Sequence, residues 1–118
     1  MKTIIFLFLF SFSTISSVHA MSGNEWLSAC DSDSAKTYNR GFNDGLCHGF
    51  LHGIYEYHNH MQHLKIIPKS LCIPKTVTRG QLVKVAKKWL KEHPEELHLP
   101  VSFSYYKIME GVFPCRSQ

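Results

Sequence analysis

The chain has 118 residues, 44% of them hydrophobic, with 13 Lys and Arg against 9 Asp and Glu, for a net charge of +4 with His neutral. That length fits one small domain. The basic excess is modest and is not interleaved with aromatic residues, which argues against a nucleic-acid-binding surface.

Chain order begins with a charged start, Met1-Lys2-Thr3, followed by an apolar run from Ile4 to Phe12 and a Ser-rich stretch ending Val18-His19-Ala20. This is the pattern of an export signal, with Val18 and Ala20 at the two small-residue positions before the cut. The apolar run is too short for a spanning helix, which needs about 20 residues. The expectation is a signal peptide over 1–20 and a single mature helical domain over 21–118. Loss of Lys2 lowers its net charge by one, and no cysteine follows the cut closely enough for a lipid anchor. Export also explains the cysteines. Cys30, Cys47, Cys72 and Cys115 are an even set in a short chain, which predicts two disulfides in an oxidising compartment.

The mature segment shows helical spacing and no strand-like alternation. Ser22 with Glu25 forms a capping-box pattern ahead of Trp26, Leu27 and Cys30, which predicts a short first helix. Asp31 to Ser34 reads as a polar loop. A second helix is expected over about Asn39 to Tyr57. Gly41, Gly45, Gly49 and Gly53 recur along it every four residues, with Phe42, Leu46, Phe50, Ile54 and Tyr57 beside them. Each interior glycine costs about 1 kcal/mol against alanine, so the spacing is read as a ridge against which a neighbouring helix packs closely.

His58 to Ser70 reads as a long connection. Thr78 and Gln81 form a second capping box, opening a third helix with Leu82, Val85, Ala86, Trp89 and Leu90 inward. Lys84, Lys87, Lys88 and Lys91 face outward on it as a solvated basic run, and His93-Pro94 stops it. A fourth helix begins near Pro100, with Val101, Tyr105, Ile108 and Val112 inward. The predicted fold is therefore all-α, a small disulfide-stapled bundle of about four helices. Four cysteines allow three pairings; Cys47 with Cys72 and Cys30 with Cys115 is the favoured one.

Eight histidines raise metal binding, with His48 and His52 one turn apart and His58, His60 and His63 clustered. The order His48-Gly-Phe-Leu-His52 lacks the glutamate of a zinc protease motif, and the cysteines lack the close pairs of zinc modules. No nucleophile, base and orienting group stand in a recognisable pattern, so no catalytic residue, metal ligand or cofactor site is nominated.

Taken in order, Gly23-Asn-Glu-Trp-Leu-Ser-Ala-Cys30, Cys47-His-Gly-Phe-Leu-His-Gly-Ile54, Cys72-Ile-Pro74, Val77-Thr-Arg-Gly-Gln-Leu82, Trp89-Leu-Lys-Glu-His-Pro94 and Phe113-Pro-Cys115 cover nearly the whole mature segment. This set resembles the Rap/Tai-type immunity proteins that accompany bacterial type VI secretion amidase effectors. Two positions depart from that pattern: Phe50 stands where Tyr is usual after Gly49, and Glu110-Gly111 replaces an Ala-Leu-like pair. The resemblance implies a non-enzymatic periplasmic protein, in some members a homodimer, that binds a cognate cell-wall amidase and occludes its active site. It implies no cofactor, no nucleic acid and no stable membrane insertion.

Within such a protein the connection after the second helix is the expected contact surface: Tyr57, His58, His60, Met61, His63, Leu64 and Lys65. Loops on rigid scaffolds commonly carry binding, and Met and aromatic residues suit interface cores. Two other readings fit the same composition. One is a periplasmic stress or chaperone-like protein whose histidines gain charge near pH 6. The other is a secreted histidine-rich metal binder.

Overall fold

The computed structural model describes residues 18–31 and 37–116. The expected signal segment, apart from residues 18–20, and most of the expected Asp31–Ser34 loop lie outside the described residues. Four α-helices form: α1 Gly23–Cys30, α2 Thr37–His63, α3 Arg79–Glu92 and α4 Val101–Val112, with a 3-10 turn at Pro94–Glu96. This is the all-α bundle the apolar spacing predicts. Both capping boxes are present, with Ser22 accepting from the Glu25 backbone and Thr78 from Gln81.

Trp26 sits fully buried at the centre, with Cys47, Leu51, Leu82, Ala86, Leu90, Val101, Tyr105 and Ile108 among its core partners. Its indole Nε1 donates to the Cys47 carbonyl at 3.0 Å, tying α1 to α2. The start of α1 docks on the segment before α4: Gly23 N donates to Leu99 O, Asn24 N to Leu97 O, and Val101 N to Met21 O. Gly23 allows this close approach, since a Cβ would lie 3.2 Å from the Leu97 backbone, tighter than an ordinary contact. The other end of α1 is held by charge. Asp31 receives Lys87 at 2.5 Å and Lys91 at 3.0 Å, and Lys87 also donates to the Cys30 carbonyl. These two ammonium groups hold the Asp31 carboxyl below its ordinary range.

The disulfides differ from the favoured pairing. Cys30 joins Cys47, and Cys72 joins Cys115, with Cα–Cα distances of 5.1 and 4.8 Å. The reason is packing. The Trp26 bond brings the α1 terminus onto α2 beside Cys47, and the chain end pairs with the segment before α3 through Cys72 N to Phe113 O and Cys115 N to Ser70 O. The separations of 17 and 43 residues correspond to about 3 and about 4 kcal/mol in the chain-entropy model.

Three further expectations are corrected. First, α2 continues to His63 rather than ending near Tyr57. No Gly or Pro interrupts His58–Ile67, so the helix propagates until a Schellman closure, in which Lys65 N donates to Gln62 O and Ile66 N to Met61 O. Lys65 takes the left-handed position that glycine usually fills, with φ 58°. Second, the glycine ridge packs against nothing among the described residues, where a Cβ at Gly41, Gly45, Gly49 or Gly53 meets no atom within 4 Å. The helix turns Cys47, Leu51 and His58 inward instead, leaving the glycines outside and Phe42 and Tyr57 each 64% exposed. Third, Val112 is exposed, while Met109 and, on α3, Val83 are buried.

Two expected outcomes follow from this packing. Gly45→Ala should stabilise the fold by up to about 1 kcal/mol, because it gains helix propensity and meets no neighbour; chemical denaturation measures it, and destabilisation would show a hidden contact. Asp31→Asn should lower the melting temperature at neutral pH by the equivalent of less than about 1 kcal/mol, as expected for a part-exposed pair. The sign follows from the depressed carboxyl: the wild-type advantage is fully present above the ordinary Asp range and fades as pH falls below it. Melts across acid pH should therefore bring the two proteins together.

Candidate functional site

Past the end of α2 the chain runs back along that helix as an irregular segment held in place at several points. Gln62 pins it: its Nε2 donates to Leu71 O at 3.1 Å, and its Oε1 accepts from Ser70 N at 2.9 Å and Leu71 N at 3.1 Å. The Cys72–Cys115 disulfide fastens the same segment to the chain end. Between this segment and α2 lies an open groove of about 1070 Å³, with Tyr55, Asn59 and Gln62 on the helix side and Ile67, Leu71 and Ile73 on the other.

The groove is electropositive. Lys65, Lys69, Lys75 and His63 line it, and no Asp or Glu lies among its described lining residues. Those three lysines have no ion-pair partner among the described residues, whereas Lys87, Lys91, Lys88 and Lys107 are paired with Asp31, Asp31, Glu92 and Glu96. Of the four lysines read from the sequence on α3, three are thus held by carboxylates, two of them by the same Asp31.

A second, smaller groove of about 510 Å³ lies between α2 and α4 and is almost wholly apolar, lined by Gly49, Phe50, Gly53, Ile54, Tyr57 and Phe103, with Tyr106 at its edge. Phe103 is 70% exposed. His58 stands between the two grooves, lines both, and is 1% exposed. Its Nδ1 is hydrogen-bonded to the Tyr106 hydroxyl, while its Nε2 has no hydrogen-bond partner among the described residues. Burial raises the Tyr106 phenol above its ordinary range, and Glu110 and Tyr57 add to the effect. Tyr106 therefore stays neutral at physiological pH and keeps its hydroxyl for His58.

The seven residues expected to form one contact surface are divided. His63 and Lys65 lie on the basic groove, Tyr57 on the apolar one, and His58 is buried between them. His60 and Leu64 are exposed and line neither groove, and Met61 is half-buried. Helical geometry causes the division, since a helix sends adjacent residues to different faces whereas a loop need not. Lys69, Lys75 and Ile73 were missed, because only the second disulfide and Gln62 bring them alongside α2. Phe103 carried a readable signal: it falls outside the inward spacing of Val101, Tyr105 and Ile108.

Of the histidines read as a metal set, His52 approaches Glu56 at 3.5 Å and stacks near Tyr55, and His48 is exposed. Among the described residues, no group of three or more His, Cys, Asp or Glu is arranged to hold a metal ion. None of the described helices is long and apolar enough to cross a membrane.

The model of the Rap1a immunity proteins matches residues 22–115. The chain belongs to the Rap1a immunity protein family. No curated protein and no solved structure matches it. The matched span begins at the Ser22 cap and ends at Cys115, so it takes in the whole described bundle, both disulfides and both grooves. A family defined by immunity implies that the chain binds a cognate toxin.

Tyr106→Phe should destabilise the fold by about 1–3 kcal/mol, because it leaves a buried imidazole nitrogen unpaired. Tyr57→Ala, at an exposed position, should change stability by less than about 0.5 kcal/mol. Urea denaturation of both variants measures the contrast, and equal effects would show that His58 does not depend on the Tyr106 hydroxyl.

Proposed function

We propose that this chain is a periplasmic immunity protein: residues 1–20 direct export and are cleaved, and the mature domain binds a cognate type VI secretion toxin, a peptidoglycan amidase, and covers its active site. The observation that carries this reading is the family match over 22–115. Two disulfides, with no free cysteine among the described residues, accord with an oxidising compartment.

The mode of action is non-enzymatic. Neutralisation by occlusion needs a rigid body more than reactive groups, since a preorganised surface loses little conformational entropy on binding. Here the rigid part is the end of α2 with the segment clamped to it by Gln62 and Cys72–Cys115. We place the toxin contact on this rim, with His63 and Lys65 from the helix end and Lys69 and Lys75 from the clamped segment. A homodimer, as in other members of the resembling family, is part of the same proposal, with the outward face of α2 left free to carry it.

Co-expression tests the reading. The effector encoded beside this chain, directed to the periplasm, should lyse cells alone and spare them when the full chain is present, with the two co-purifying. Continued lysis despite abundant, folded, oxidised protein would overturn immunity toward that effector, and light scattering of the purified chain would decide the dimer.

A further inference from the structure

The family match does not say what chemistry the partner presents, but the basic groove does. Resting on the immunity reading, we propose that the groove between α2 and the 64–75 segment receives an acidic, partly apolar stretch of the partner protein's chain. Its cations are unspent: among the described residues Lys65, Lys69 and Lys75 have no ion-pair partner and no carboxylate lines the groove. Ile67, Ile73 and Leu71 line the same trough, so aliphatic side chains between the acidic ones have somewhere to go. At its inner wall stands the buried His58, which separates this trough from the apolar groove.

The shape selects a polypeptide over an anionic membrane. The groove is a trough between a helix and a clamped irregular segment, and a flat lipid leaflet reaches only the lysines at its rim. Complementary charge of this kind speeds encounter and selects partners, and it weakens as salt screens it. Lys65 adds an independent sign. It holds a left-handed backbone position where glycine is the less strained choice, so a cation is kept there against the local conformational preference, as is common at functional sites.

The probe is a short fluorescein-labelled peptide of alternating Glu and Leu, with a Lys-and-Leu peptide as counterpart, read by fluorescence anisotropy on the full mature chain. The Glu-Leu peptide should bind, weaken from low to physiological salt, and lose about tenfold in affinity with Lys65→Ser/Lys69→Ser/Lys75→Ser, a loss in line with three rim charges. Lys84→Ser/Lys88→Ser should leave binding unchanged. Lys65→Gly supplies a control for folding: it should raise the melting temperature while still weakening the peptide. No binding, equal binding of both peptides, or equal loss in the two lysine sets would overturn the proposal. So would lysine-dependent binding to phosphatidylglycerol vesicles without peptide binding. With the neighbouring effector, a complex that tolerates the triple variant overturns the groove assignment and leaves immunity standing. Peptide binding without any effector complex does the reverse.

Discussion

The fold depends on a single buried contact, the Trp26 indole donating to the Cys47 carbonyl. A buried indole N–H needs a partner, and a backbone carbonyl within α2 has a spare lone pair to accept it. That bond sets the height of α1 on α2, and the height brings Cys30 beside Cys47. Once the two helices are locked, the apolar faces of α3 and α4 have one place to go, against Trp26 and Leu51. The charged clamp of Lys87 and Lys91 on Asp31 closes the same corner from outside.

The second disulfide has a different task. Cys72–Cys115 closes 43 residues and fastens the segment before α3 to the chain end. Together with Gln62 it holds a segment that has no helix of its own, and the basic groove exists only because that segment stays beside α2. Frame and groove are thus secured separately: one disulfide serves the core and the other the rim.

How much of this was legible depended on the range of the interaction. Capping boxes are local, three residues apart, and both Ser22–Glu25 and Thr78–Gln81 were readable as helix starts. Apolar spacing placed α3 and most of α4. The disulfide pairing was not readable, because it follows from where Trp26 and Phe113 dock, and those are contacts across the fold. The glycines of α2 misled for a related reason. Period-four spacing shows that they share a side, but the side facing the core is decided by Cys47, Leu51 and His58, whose bulk lies opposite. The contact residues proposed around His58 suffered from the helix end: without a Gly or Pro stop, the chain stays helical to a Schellman closure built on a lysine, and Tyr57, His58 and His63 part company. The lysine run of α3 was read as a solvated face, yet three of its four lysines are held by Asp31 and Glu92.

That last inversion bears on how such a small protein divides its charge. A lysine held by a carboxylate contributes to the frame, and its outward field is cancelled at short range. A lysine without such a partner keeps its field, and three of them spread over ten residues of sequence come to one groove through the fold. Under the proposed function this separation is useful. The paired lysines of α3 can be replaced at a small cost in stability with little effect on recognition, while those of the 64–75 segment can vary with the partner and leave the Trp26 core undisturbed. The frame thereby stays constant while the rim changes, because the residues that serve both, Leu71, Gln62, Cys72 and His58, form the floor and walls of the groove, whereas Lys65, Lys69 and Lys75 are exposed.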